Sequence, residues 1–468
     1  MKHLLTLDLE LLDEIVISRN SATTGQHRCL PYIPGSGLLG AAASRLYDET
    51  DNRMYDIFHS GQVRFGDGRP VAHGQLASWP VPFAWHGDKG GEATHDHDRW
   101  LAAGIFSFVA AGVAASGFIQ PQQIREGFVS ETGERIRPKT RYRMKTAIDR
   151  RTGGAAESQL FGYEALARGQ RFRATIRSND AAHLESLRAC LNDVIHLGRS
   201  RSAQYGRVRV STSAVATAAP AFLPVALLDG APHLVLWLAS DLAVRNTETG
   251  MPTLTPTLHD LGLADLVGGS PAPGRTFVRT RRYIPYNARR GSHDLERQVI
   301  VAGSVLCYRL HEPPAPEIAA RLAARLADGL GENREAGLGD VVLDPILEQL
   351  LLSPHPVFTP LAAPVRVQSV PEPSHPLIAW LRAGEERDDA ETSANRWAER
   401  KLAALVRVCD SARQYNGIAA DLACGPTAAQ WGRVQEAAIA HGERTALLNA
   451  LVGTDAAPAG ADSAICKP

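Results

Sequence analysis

Apolar and polar residues alternate through residues 4–17, the pattern of a strand that buries one face, and a similar stretch returns at residues 234–250. Residues 180–197 and 317–326 instead place apolar side chains at helical spacing. Each of these helices is followed by a glycine-bounded loop and a β-branched run. The pattern therefore predicts one succession of elements that occurs twice along the chain.

That succession is strand, helix, hairpin, helix, loop and strand, the order of a ferredoxin-like βαββαβ unit. We expect an α+β fold with two such units in tandem, RRM-like in arrangement, each with an inserted arm. The predicted domains are residues 1–215 and 233–345, joined by a linker at 214–232 and followed by a helical region at 376–453. Only residues 259–267 are able to supply the first helix of the second unit.

The two glycine loops, residues 198–206 and 331–339, resemble each other closely. In each loop two glycines stand eight positions apart, and an arginine, Arg201 or Arg334, follows the first by three. Glycine reaches backbone conformations that allow a loop to lie flat and turn its N–H groups toward an anion, and arginine favours phosphate. A helix C-cap followed by a turn is the alternative for either loop alone, but the repetition favours a shared role.

A basic arm at residues 137–151 holds seven bases and one acid. In an extended segment Lys139, Arg141, Arg143 and Lys145 share one face, with Tyr142 on the other. Such an arm suits an RNA strand, with a solvated hairpin as the alternative. A second arm at 279–290 resembles it. The helix that begins near Ser36 is another place where N–H groups suit a phosphate, unless Ser36 simply caps the helix.

The composition excludes several classes of protein. Lys+Arg and Asp+Glu number 50 each, so the chain is not a uniformly basic nucleic-acid binder, although local basic patches remain possible. Six cysteines are scattered without a CxxC pair, and no apolar run is long enough to span a membrane. We expect a cytoplasmic protein without membrane contact. The His95-Asp-His-Asp98 cluster is expected to be a solvated loop, so we predict no metal and no cofactor.

Several of these motifs resemble the RAMP superfamily of CRISPR effector complexes, whose hallmark is a glycine-rich loop near the end of a ferredoxin-like domain. The motifs are residues 33–40, 65–67, 145–154, 160–164 and both glycine loops. Together with residues 426–433, they are similar to the type III-D member that caps the repeat-derived 5′ handle of the crRNA.

The resemblance implies contacts with the large polymerase-like subunit and the backbone RAMP subunits, and an indirect relation to target RNA. A small helical subunit is a further partner that the C-terminal helices are able to dock. The second loop departs from the pattern, since Glu332, Glu335 and Asp340 stand where a phosphate site prefers bases. We therefore expect the second loop to be structural or to face protein.

The leading hypothesis is a non-catalytic RNA-binding subunit, with no residue assigned as a catalyst. One alternative is a metal-independent endoribonuclease that processes the guide and uses His27, Tyr32 or His59. Another is a backbone-type RAMP that cleaves target RNA with Asp67, Asp96, Asp98 or Asp149. The residues expected to contact RNA are Ser36, Lys139, Arg141, Tyr142, Arg143, Lys145, Gly198, Arg199, Arg201, Tyr205, Gly206, Arg207, Arg281, Arg282 and Tyr283.

Overall fold

A computed structural model describes residues 2–19, 26–88, 105–111, 120–148, 155–199, 205–218, 222–287 and 289–358. Residues 1–364 form one compact unit. The predicted helical region at 376–453 lies outside the described residues.

The described residues form a mixed α/β structure in which strands predominate. The strands up to residue 217 are β1 (His3–Leu11), β2 (Gln26–His27), β3 (Val63–Phe65), β4 (Arg69–Pro70), β5 (Trp79–Pro80), β6 (Trp85–Asp88), β7 (Phe106–Ser107), β8 (Pro121–Gln123), β9 (Phe128–Val129), β10 (Arg135–Ile136), β11 (Thr140–Ile148), β12 (Ala155–Leu166), β13 (Arg171–Ser178), β14 (Val194–His196), β15 (Arg207–Thr212) and β16 (Ala216–Thr217). The later strands are β17 (Val225–Leu228), β18 (Ala231–Trp237), β19 (Gly269–Pro271), β20 (Thr280–Tyr283), β21 (Tyr286–Asn287), β22 (Ser292–His293), β23 (Arg297–Ile300) and β24 (Val305–Leu310).

The helices are few and short. They are α1 (Gly35–Leu46), α2 (Arg53–Phe58), α3 (Phe108–Ala111), α4 (Ala181–Leu191), α5 (Pro316–Ala327) and α6 (Pro345–Leu352). Within the described ranges, none of them has the length and apolar character needed to cross a lipid bilayer.

The sheet of the first half has the central strand order β14-β15-β1-β13-β3, and all of these neighbours are antiparallel. Alternate leucines of β1, from Leu5 to Leu11, are at most 1% exposed and pack with α1 and α4 in one core. Burying a leucine side chain contributes about 2 kcal/mol, so this alternation fixes which face of β1 points inward. Asp180 caps α4 by accepting a hydrogen bond from the Ala182 amide.

The sheet of the second half has the order β17-β18-β24-β19. Its central pair repeats the register of the first half: Glu10 pairs with Arg171 in one, and Trp237 pairs with Val305 in the other. The last strand is shorter here, since only a bridge between Leu238 and Val341 matches the pairing of β1 with β15. The two halves therefore share these strand pairings.

The structure corrects several element predictions. Residues 259–267 form turns instead of a helix, because Gly262 adopts φ +67°, which a right-handed helix cannot continue through. The helix predicted at 180–197 ends at Leu191, and β14 follows. The predicted linker at 214–232 contains β16 and β17, and α6 lies in a segment for which we predicted no helix.

Candidate nucleic-acid interface

Backbone hydrogen bonds hold the first glycine loop against the segment that follows β1. The Arg199 amide donates to the Val16 carbonyl at 2.9 Å, and the Gly206 amide donates to the Glu14 carbonyl at 3.0 Å. Gly198 has φ +81°, and a Cβ there would lie 2.5 Å from the Val16 oxygen, so only glycine fits. These two amides are committed within the chain, which corrects the expectation that they face a phosphate.

The second loop is held in the same way. The Glu332 amide donates to the Ala243 carbonyl at 2.8 Å, and the Gly339 amide donates to the Asp241 carbonyl at 2.8 Å. A Cβ on Gly331 would lie 2.1 Å from the Ala243 oxygen. Both loops are therefore backbone clasps that close on the end of the first strand of their own half.

A buried carboxylate stands at this point in each half. Glu14 is 8% exposed and Asp241 is 4% exposed. A buried charge requires a partner of opposite sign, and the arm of each half supplies an arginine. Glu14 accepts from Arg143 Nε at 2.9 Å and Nη2 at 3.1 Å, whereas Asp241 accepts from Arg281 Nε at 2.7 Å. Sequence reasoning missed both acids, although their matched place after each first strand was a usable signal.

Four arginines of the first half meet beside the end of β1. Arg143 and Arg141 approach Glu14, the latter at 3.8 Å, and Arg207 forms a two-point contact with Asp13 at 2.7 and 2.9 Å. Hydrogen bonds from Arg207 hold the pKa of Asp13 below its usual range. The exposed Arg199 has Nη1 3.5 Å from Ser18 Oγ. We call Arg141, Arg143, Arg199 and Arg207 the arginine surface.

Two members of the arginine surface are well exposed. The side chains of Arg143 and Arg207 are each 57% exposed although both are paired with carboxylates. A guanidinium group has five N–H donors, so the two-point contact of Arg207 with Asp13 leaves further donors on Arg207 for a second anion. The exposed Lys139 precedes β11 on the same side of the arm as Arg141 and Arg143.

The arm itself is extended, as predicted, with β11 paired antiparallel to β12. Tyr142 lies across the partner strand, where a Cβ on Gly162 would come 1.8 Å from the tyrosine oxygen. Lys145 belongs to β11, but its side chain is outside the described part of the chain, as is Arg201 of the first loop.

Two of the predicted RNA contacts, Tyr205 and Arg281, have largely buried side chains. Tyr205 is 3% exposed and packs with Val16 and Ala165, so it offers no ring face to a base. The residue stands directly before Gly206, and the clasp turns it inward. Arg281 is 13% exposed and is bound to Asp241 and the Tyr32 hydroxyl.

The rest of the second arm divides between buried and exposed residues. Arg281 also lies over the Tyr283 ring at 4.8 Å, so one face of that ring is covered. Arg282 remains 66% exposed, with Nη1 3.8 Å from a Glu296 carboxylate oxygen. The second arm therefore keeps Arg282 as its exposed base among the residues we predicted.

The start of α1 is covered by the second loop. The Gly35 amide donates to Asp67 Oδ1 at 2.8 Å, and a Cβ on Gly35 would meet the Ala336 oxygen at 3.0 Å. Ser36 is exposed and does not cap the helix, whose N-cap Pro34 has no side-chain cap. The Gly35 amide is thus committed to a carboxyl group 32 positions away, a partner that local sequence cannot reveal.

The structure describes the side chains of Tyr32, Asp67 and His59 from the catalytic alternatives. Desolvation raises the pKa of Tyr32 well above its ordinary value, and its hydroxyl accepts a hydrogen bond from Arg281. Desolvation raises the pKa of Asp67 to about 8, so this carboxyl is protonated at neutral pH. His59 Nε2 lies 3.2 Å from the Tyr47 hydroxyl.

The side chains of the remaining residues of these alternatives lie outside the part of the chain that the structure describes. The side chain of His27 and all of Asp96, Asp98 and Asp149 lie outside the described residues. Within the described residues, no three His, Cys, Asp or Glu side chains are placed to hold a metal ion.

Comparison with known proteins gives one family and several distant structures. The model of the RAMP superfamily matches residues 9–209. A chain in a cryo-EM structure of the type III-B Cmr-beta complex bound to cognate target RNA and AMPPnP is 8% identical, with a TM-score of 0.37 over 64% of this chain and 86% of that one. CRISPR-associated protein Cas6 is 10% identical, with a TM-score of 0.33 over 74% of this chain and 100% of that one. At such TM-scores neither likeness supports an argument, and no curated protein matches the sequence.

Proposed function

We propose that the chain is a non-catalytic RNA-binding subunit of a type III CRISPR effector complex, because the RAMP superfamily model matches residues 9–209. Its RNA is the crRNA, and the segment that it binds is the repeat-derived 5′ handle. Its neighbours in the complex are the large polymerase-like subunit and the backbone RAMP subunits. Two observations support this role: the family match over residues 9–209 and the arginine surface of the first half.

The proposed architecture is two tandem ferredoxin-like domains with inserted arms. The central strands β15-β1-β13-β3 of the first half have the order four-one-three-two of a βαββαβ unit. The second half supports the same plan through the matched register of β18 with β24 and the identical clasp of its loop. Its first helix is replaced by turns, so the second domain is a reduced copy.

The observation that carries the RNA-binding role is the arginine surface. Glu14 and Asp13 hold Arg143 and Arg207 in fixed positions while more than half of each side chain stays exposed. Guanidinium groups suit phosphate because they offer paired N–H donors. A sugar-phosphate strand that crosses the segment after β1 would contact Arg143, Arg199 and Arg207, whose partners are Glu14, Ser18 and Asp13.

The test compares charge-matched double variants in an anisotropy titration with RNA that carries the 5′ handle. We expect Arg143→Gln with Arg199→Gln to weaken binding by about tenfold and to reduce the salt slope by roughly 0.7 for each phosphate that is no longer neutralised. The control, Arg188→Gln with Arg321→Gln, removes two charges from exposed positions on α4 and α5 and should bind like the wild type. Equal RNA affinity and an equal salt slope for both double variants would contradict the proposal. An RNA with a scrambled handle separates handle recognition from general phosphate binding.

The non-catalytic role has its own test. Repeat RNA incubated with the purified chain should remain intact, because the proposed role assigns no residue as a catalyst. Cleavage at one defined position would instead establish a guide-processing endoribonuclease.

A further inference from the structure

In the first half, the outer edge of the arm is filled by a short strand of the same chain. Strand β2 pairs parallel to β12, with Gly162 opposite Gln26 and Tyr163 opposite His27. The turn that delivers β2 is long, since Ser18 bridges to Cys29, eleven positions further on. That strand therefore lies between the arm and the segment that follows β1.

The second half has the same arm and the same segment, but its turn is shorter. Arg245 bridges to Pro252 only seven positions on, and the Gly250 amide folds back to the Asn246 carbonyl. Strand β23 corresponds to β12, because Ile300 bridges to Leu242 as Leu166 bridges to Ile15. Within the described residues, β23 pairs only with β20 apart from that bridge. Among these residues, no strand of the second half takes the place that β2 takes in the first half.

A cleft of about 540 Å³ occupies this place. It lies between β23 and the segment around Ala243 and Val244, and Glu332 of the second loop lies against it. The backbone groups of Ile300 bond to Leu242, away from β20. Alternate residues of a strand direct their N–H and C=O groups to the same side, so those of Gln298 face the cleft.

The lining of the cleft favours a polypeptide over RNA as the occupant. Three arginines and three carboxylates line it, so it lacks the positive charge that attracts a polyanion. Glu332, which takes the place of Arg199 in the first loop, binds Arg245 at 2.9 Å. Leu295, at the mouth, is 87% exposed. Apolar contacts and an unpaired strand edge suit a polypeptide.

We propose that an extended segment of a partner protein adds as a parallel strand to β23 and fills this cleft, as β2 fills the corresponding place beside β12. Main-chain hydrogen bonds to Gln298 supply affinity, the usual basis of strand addition. Small or apolar side chains of the segment pack on Pro252 and Leu295. The proposal relies on the proposed function only for the assembly in which the partner is found.

Hydrogen exchange followed by mass spectrometry tests this proposal on the full chain in three states: alone, with handle RNA, and in the assembly purified from its native cells. We expect the amides of Glu296 and Gln298 to exchange roughly tenfold more slowly in the assembly and to be unchanged by RNA. The edge of β12 at residues 162–163, already filled by β2, should change little. Protection by RNA alone would make the occupant RNA, and unaltered exchange in the assembly would mean that nothing binds there; either result overturns the proposal.

A graft supplies the matched variant. Replacing residues 246–251 by residues 19–28 should fill the cleft from within. It should slow exchange at Glu296 and Gln298 in the isolated chain and abolish the further protection in the assembly. If the graft does not fold, Gln298→Pro removes the amide donor that faces the cleft without touching the β20 pairing. That variant should lose the partner while its RNA affinity stays at the wild-type value, which separates this proposal from the RNA-binding one. Retention of the partner by both variants would contradict strand addition.

Discussion

At the scale of single residues, burial determines whether a side chain is ionised. Glu348 lies on α6, is 1% exposed, and has no hydrogen-bond partner for either carboxylate oxygen within the described residues. Desolvation raises the pKa of Glu348 from 4.5 to about 8, because an unpaired ionised carboxylate is costly in an apolar core. The residue is therefore neutral in the folded chain near pH 7 and ionised in the unfolded one.

The Glu348→Gln variant checks this assignment. Between pH 4.5 and about 8 the folded chain holds one proton that the unfolded chain has released, so stability falls as pH rises across that window. The variant should lose this component, which is about 1.4 kcal/mol per pH unit. Urea unfolding from pH 5 to 9 measures it, with Glu312→Gln, an exposed glutamate, as the control. A slope unchanged by Glu348→Gln would show that the residue ionises in the folded state near its ordinary pKa.

At the scale of elements, the glycine clasps explain why the same loop appears twice. The clasp needs a backbone that passes within contact distance of the preceding segment, and only glycine permits this at Gly198 and Gly331. The arm then closes over the same segment and pairs its arginine with Glu14 or Asp241. Strand, arm and loop thus depend on one another in both halves.

Substitution of one clasp glycine should cost more than substitution of an equally strained but open one. Gly331→Ala places a Cβ 2.1 Å from the Ala243 oxygen, whereas Gly291→Ala, also at positive φ, meets nothing within 4 Å. We expect losses in the free energy of unfolding of roughly 3 kcal/mol or more for the first and about 1 kcal/mol for the second. Thermal or urea unfolding of both variants compares them. Similar losses would mean that the close approach relaxes without cost.

The sequence predicts the helices and strands better than it predicts the long-range contacts between them. Periodicity located the central strands, α4 and α5, because one buried face leaves a regular pattern, and the spacing of the glycines located both loops. The partners of Glu14, Asp241 and Gly35 lie far away along the chain, so no local pattern indicates them. We predicted that Tyr205 contacts RNA because a tyrosine ring suits base stacking. Its burial depends on contacts with Val16 and Ala165, which are distant in the sequence and leave no local pattern.

At the scale of the whole described unit, the second loop joins the halves. Gly337 lies so close to the first half that a Cβ there would meet the Phe65 oxygen at 2.3 Å. Arg177 binds Asp340 at 2.9 Å, and the buried Arg64 binds Asp328 at 2.7 Å across the same junction. The loop that carries acids in place of bases therefore serves as an internal contact, while its clasped counterpart contributes Arg199 to the arginine surface.

Asp67 makes this junction sensitive to pH. Desolvation, with Asp241 and Asp340 close by, raises the pKa of Asp67 from 3.8 to about 8, so the folded chain retains a proton that the unfolded chain loses above pH 3.8. Stability should again fall as pH rises toward 8. Asp67→Asn keeps an oxygen for the Gly35 amide but has no proton to lose, so it should remove about 1.4 kcal/mol per pH unit of that fall. Combined with Glu348→Gln, it should remove twice as much, because the two groups lie in separate settings and their effects add. A double variant that matches either single variant would show that only one of the two carboxyls is protonated in the folded chain.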